Sequence, residues 1–247
     1  MENEIYIYAS KSELVSAVTE KMISTIQRHL QAKSICNIAL AGGNTPREVY
    51  ASLAAEYANR VDWNRVHLFW GDERTVPPDH DDSNFKMVQQ ALLAHIAIPD
   101  KNVHRIRGEL APGEAAAQYA TLLNKHFKEK PPRLDLILLG VGEDGHTASL
   151  FPATGALQEL NEPVVALFVP GLNTWRVTLT LPVLNAAGEI IFLVAGSAKS
   201  EIVKRVMSVE QPTKDLPATL VRPENGRLDW MLDGDAAALI NKKAEGK

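Results

Sequence analysis

The sequence predicts an α/β fold built on a mostly parallel sheet with helices on both faces. Three observations lead there. Short apolar runs, several of them nearly continuous in hydrophobicity, alternate with amphipathic helical patterns through most of the chain. A strand that is apolar on both sides must be covered on both faces, which is the condition of a parallel sheet. Several of these runs also pass through a glycine turn straight into a helical pattern, as crossover connections require.

The apolar runs place strands at residues 5–9, 35–41, 66–70, 134–139, 164–169, 177–181 and 190–195. Helical periodicity places helices at residues 12–30, 46–57, 84–95, 113–127 and 198–207. No repeat, low-complexity segment or glycine/serine linker divides the chain, so residues 1–247 read as a single α/β domain. Its net charge of −4 disfavours a nucleic-acid footprint. The opening "MENEIYIYAS" has acids where a leader peptide needs basic residues, and no stretch approaches membrane-spanning length. The expected protein is cytoplasmic, with neither nucleic acid nor membrane as partner. The single Cys36 lies inside an apolar run and reads as a small core residue.

In a sheet of this kind ligands sit at the carboxyl ends of the strands, so the loops there carry the chemistry. After the second strand, "ALAGGNTPREVY" offers Gly42 and Gly43 for tight turning, Thr45 as an N-cap, Pro46 at the first helical position and Glu48 to close a capping box. The free amides of this turn form a cradle for phosphate, or the segment is simply a well-capped loop. It is neither a dinucleotide fingerprint nor a P-loop.

After the third strand, Gly71 is followed by Asp72, Glu73 and Arg74. Arg74 either makes a surface ion pair or points into the cleft to hold an anion or stabilise developing negative charge. Asp79, His80, Asp81 and Asp82 follow one another in a loop without a distant partner and read as solvated charge, so no metal site is expected.

The stretch "LILLGVGEDGHT", residues 136–147, runs from a buried strand through Gly140, Gly142 and Gly145 to His146, with Asp144 two residues before it. That setting marks His146 as a general base oriented by Asp144, with "HTASLFP" resuming a short helix. The other six histidines read as structural or solvated. At "FLVAGSAKSEIV", Gly196 and Ser197 turn and cap, and Lys199 falls in the first helical turn, either meeting an anion or reaching into solvent. Arg176, at the head of "RVTLTLP", is equally open between cleft and sheet edge.

Taken in order, "AGGNTP", "GDER", "SNF", "GVGEDGHTASLFP", "RVTLTLP" and "AGSAKSEIV" resemble the 6-phosphogluconolactonase family over most of residues 39–203. The wider superfamily, which includes glucosamine-6-phosphate deaminases, has a modified Rossmann-like fold. Deaminases of that superfamily continue "DGH" with an "IAFNEP"-type segment and carry a "DEY"-like motif, whereas this chain has residues 147–152 as "TASLFP" and residues 72–74 as "DER". The resemblance therefore points to the lactonase branch. Lactonases commonly read "SGGSTP" where this chain has "AGGNTP", so hydroxyls are missing at two places and Asn44 stands in one of them.

The resemblance implies hydrolysis of 6-phospho-D-glucono-1,5-lactone in the oxidative pentose phosphate pathway, without a cofactor; monomer and homodimer both stay open. His146 takes a proton from water, Asp144 assists it and Arg74 stabilises the oxyanion. Gly42, Gly43, Asn44, Thr45, Asp72, Lys199 and Arg176 bind the substrate. An amino-sugar phosphate isomerase/deaminase and a non-catalytic sugar-phosphate sensor are the alternatives. The absence of a G-x-S-x-G elbow fits a mechanism without a covalent nucleophile.

Overall fold

The computed structural model describes residues 3–240; the remaining residues of the expected 1–247 domain lie outside the described ones. In chain order the elements are β1 (Asn3–Tyr8), α1 (Lys11–Ala32), β2 (Cys36–Leu40), α2 (Asn44–Tyr57), β3 (Val66–Trp70), β4 (Asp72–Arg74), α3 (Asn84–Ala91) and β5 (Val103–His104). They continue with α4 (Pro112–His126), β6 (Leu136–Leu139), β7 (Val164–Val169), β8 (Thr174–Leu179), α5 (Leu181–Asn185), β9 (Glu189–Val194), α6 (Ser200–Met207) and β10 (Arg227–Asp233).

Seven strands form one sheet in the order β1-β10-β9-β6-β2-β3-β5, and every pairing in it is parallel. Each residue of β2, β6 and β9 is buried, so both faces of the sheet centre are covered. Helix α1 shows how the covering works. Ser10 caps it by accepting from Glu13 N–H at 3.2 Å, and Leu14, Val18, Met22 and Ile26 recur every fourth residue on its buried face. Burial of each such side chain contributes about 1.5–3 kcal/mol. Cys36 is fully buried, and burial pushes its thiol up to about 12, which leaves it a core residue without nucleophilic character.

The alternation is broken in one place. The strands expected at 164–169 and 177–181 are not in the parallel sheet; they are β7 and β8 of a separate antiparallel sheet ordered β4-β8-β7. Strand β8 also begins earlier than expected, at Thr174, because its whole length is paired to β7, and Leu181 already opens α5. Three strands carry no continuous apolar run. Strand β4 consists of charged residues and exists through its ladder with β8, β5 has two residues, and β10 is interrupted by Asp229. Asp229 is buried yet neutralised by Arg227 at 2.7 Å and Lys21 at 3.1 Å. Residues 84–95 likewise divide into α3 and a 3-10 turn at Leu93–His95.

The sheet order fixes where a ligand belongs. From β2 the chain continues outward to β3, whereas from β6 it continues to β9 on the opposite side. The crevice beyond the carboxyl ends of β2 and β6 is therefore the topological switch point.

Candidate functional site

The loop after β2 begins with a backbone lock. The Tyr50 hydroxyl accepts from Ala41 N–H and donates to Ala41 C=O, both at 2.9 Å, which satisfies the residue between the end of β2 and the glycines. Gly42 then passes so close to Asn84 that a Cβ would lie 1.9 Å from its side-chain oxygen. Gly43 adopts φ +110°, a conformation suited to glycine, and turns the chain directly into α2. The helix thus starts at Asn44, one residue before the expected Thr45 cap, and no side chain caps it. Glu48 closes no capping box and instead pairs with Lys11 at 2.5 Å. An N-terminus without a side-chain cap leaves its first amides to an outside acceptor.

The loop after β6 holds the histidine. His146 Nδ1 lies 2.6 Å from Asp144 Oδ1, and the same oxygen accepts from His146 N–H at 3.0 Å. The imidazole stacks on Phe151 with ring centroids 4.0 Å apart. Gly142 is required by this packing, since a Cβ there would lie 2.1 Å from the imidazole. Partial burial by itself would raise the Asp144 carboxyl, but the His146 N–H and imidazole hold it below its ordinary value. Residues 147–150 do not form the expected helix. They form a turn with a bridge between Thr147 and Leu150, because Ala148 has φ +48° and the Thr147 hydroxyl donates to Gly140 C=O at 2.8 Å.

The charged triplet resolves into three roles. Glu73 is buried and accepts from the N–H groups of Arg74, Asn84 and Phe85, each at 2.8 Å, so it clamps the start of α3. Asp72 accepts from the Ser149 hydroxyl at 2.6 Å and from the Asn84 side-chain amide at 3.3 Å. Arg74 makes no ion pair with a neighbouring acid among the described residues. It donates to the Asp82 carbonyl and stands opposite Arg176 in the β4–β8 ladder. Burial, and then the neighbouring Arg74 charge, pull the Arg176 guanidinium below its ordinary value. Residues 79–82 are exposed, with Asp81 paired to Lys86 at 2.6 Å.

A cleft of about 390 Å³ opens at the switch point, and it is lined by Gly42, Gly43, Asp72, Arg74, His146, Arg176 and Lys199. Seven of the ten expected site residues therefore meet in one place. Asn44 and Thr45 line an adjoining hollow, which shares Gly42, Gly43 and Lys199 with the cleft and adds Lys11. Asp144 stands behind His146. Lys199 closes a 3-10 turn at Ser197–Lys199 ahead of α6 instead of lying within its first turn, and Gly196 makes that turn with φ +93° without a side-chain cap from Ser197. Ser149, Asn84 and Lys11 were not foreseen as site residues. Ser149 and Asn84 lie within the motif segments "TASLFP" and "SNF", but only the fold brings them against Asp72.

A parallel sheet whose switch-point cleft combines cations, amide-rich turns and a histidine–carboxylate pair has the layout of an α/β enzyme for a small anion. The family model of glucosamine-6-phosphate isomerases/6-phosphogluconolactonase matches residues 9–230, and the chain belongs to that family. A 6-phosphogluconolactonase of a Nostoc species is 35% identical over 98% of this chain and 100% of its own. The human 6-phosphogluconolactonase is 39% identical over 96% of this chain and 93% of its own. The crystal structure of 6-phosphogluconolactonase from Thermotoga maritima superposes with a TM-score of 0.82 at 31% identity, over 94% of this chain and 100% of that one. Among the described residues no helix is long and apolar enough to cross a membrane.

Proposed function

We propose that this protein hydrolyses 6-phospho-D-glucono-1,5-lactone to 6-phosphogluconate, the lactone-opening step of the oxidative pentose phosphate pathway, as a cytoplasmic monomer or homodimer. The observation that carries the mechanism is the 2.6 Å contact between His146 Nδ1 and Asp144 within a cationic cleft. A carboxylate held below its ordinary range only accepts, so Nδ1 carries the proton and Nε2 is the basic nitrogen.

Nε2 takes a proton from water as the water oxygen bonds to the lactone carbonyl carbon. Negative charge then gathers on the carbonyl oxygen, where Arg74 and Arg176 supply fixed positive charge. The bond from that carbon to the ring oxygen breaks, and the proton held by Nε2 passes to the departing oxygen. The phosphate lies over Gly42, Gly43, Asn44 and Thr45, with Lys199 beside it. Asp72, clamped by Ser149 and Asn84, is positioned to accept from a sugar hydroxyl.

The test is to supply freshly generated lactone and measure 6-phosphogluconate formation above the spontaneous rate. Acceleration supports the reading. No acceleration by folded protein, together with ammonia release from glucosamine 6-phosphate, would replace it with the isomerase/deaminase reading.

A further inference from the structure

We propose that His67, His104 and His126 form a binding site for one divalent transition-metal ion of the zinc class, separate from the substrate cleft. The three come from β3, β5 and the last residue of α4. One ring nitrogen from each lies within 4.8 Å of the others. His67 Nδ1 and His104 Nε2 are 2.9 Å apart. Imidazole nitrogens on tetrahedral zinc, bonded at 2.0–2.1 Å, are separated by about 3.3 Å. Binding an ion therefore needs side-chain shifts and, because one of the His67 and His104 nitrogens donates to the other in the cluster, a change of tautomer that turns its N–H away from the ion.

The surroundings are those of a built ligand set. His126 Nε2 lies 2.8 Å from the side-chain oxygen of the buried Asn37, whose own backbone N–H is bonded to the buried Asp135 at 2.9 Å. Donation from Nε2 to that oxygen fixes the tautomer and leaves Nδ1 of His126 with its lone pair, the outer-shell arrangement that metal-binding histidines use. Phe69 stacks on His104 at 4.5 Å, and Phe69 and Phe127 meet His126 edge-on at 5.1 and 4.8 Å, so one side is dry. All three histidines are only half-buried, which leaves an entry path and room for a water as fourth ligand.

Three imidazoles and no thiolate suit zinc, cobalt, nickel or copper and not magnesium or calcium. Asn37 and His67 are register partners near the amino ends of β2 and β3, whereas the substrate cleft opens beyond the carboxyl ends. A bound ion would tie the β3–β5 edge of the sheet to the end of α4. It would raise thermal stability with metal concentration and take no part in the chemistry.

The experiment is a Co²⁺ titration of the full chain, followed by visible d–d absorption and by competition with Zn²⁺. The expected result is one ion per chain with tetrahedral bands. These bands disappear in His104→Gln and in His67→Gln, weaken about 10–100-fold in affinity in Asn37→Ala, and persist unchanged in His146→Ala. Histidine ring NMR signals of the wild type give a readout that needs no variant. Substoichiometric Zn²⁺ should move the His67, His104 and His126 rings alone. No uptake, or movement of the His146 ring in place of these three, would overturn the site.

Discussion

Arg74 and Arg176 sit directly opposite each other in the antiparallel ladder of β4 and β8, both at the wall of the switch-point cleft. Like charges directly opposite are destabilising by about 0.2–1 kcal/mol, an arrangement that makes physical sense where an anion is to lie between them. Replacement Arg176→Gln should therefore raise the thermal midpoint slightly. Losing a charge-assisted interaction of about 1.5–3 kcal/mol with the developing oxyanion should lower kcat/KM about 10–100-fold. Paired melting curves and kcat/KM values check both signs, and a lowered midpoint with unchanged kcat/KM would contradict the assignment.

Gly142→Ala is expected to damage catalysis without unfolding the protein. The new methyl would meet the His146 imidazole at 2.1 Å and force it from its stack on Phe151. A displacement near 1 Å at a catalytic group costs on the order of 10²-fold. The drop should appear in kcat, with circular dichroism unchanged.

Asp144→Asn tests the pairing itself. The folded Asp144 carboxyl is held below its ordinary value, so its contribution is complete above the unfolded-state value and is lost as pH falls through the lower folded one. From the unfolded-state value up to neutrality the carboxylate stays ionised and paired to His146 Nδ1. The asparagine variant should lose about 10²–10⁴-fold in kcat, the range of general-base catalysis, with little change in KM. Steady-state kinetics at neutral pH separate the two parameters.

Tyr50→Phe removes both hydrogen bonds to Ala41 while keeping the ring in the core. An unsatisfied buried backbone group costs about 1–3 kcal/mol, to be read by chemical denaturation. Because Ala41 leads into the glycine turn, KM should rise as well.

The centre of this sheet was legible in the sequence because residues of β2, β6 and β9 are buried on both faces and so are nearly all apolar in succession, Asn37 and Glu189 being the buried exceptions. Strand β10 was hidden by Asp229, which is tolerated only because Arg227 and Lys21, one on its own strand and one on α1, neutralise it. Strand β4 was hidden because it consists of three charged residues and exists only through its pairing with β8, far along the chain. At the site, local chemistry was readable: glycines beside a histidine and a carboxylate. Thr45 misled as a cap because the positive φ of Gly43 starts α2 at Asn44, two residues ahead of the expected Pro46. The approach of Ser149 and Asn84 to Asp72 was beyond reach, since it depends on strand order and not on spacing. The same holds for His67, His104 and His126, whose separation along the chain conceals their proximity.

The most direct test of the central claim is the rate of 6-phosphogluconate formation by wild type and His146→Ala, with spontaneous hydrolysis subtracted and folding verified. The predicted result is clear acceleration by the wild type and a loss of about 10²–10⁴-fold in kcat for the variant, at similar KM. Near-wild-type turnover in His146→Ala would contradict His146 as the base.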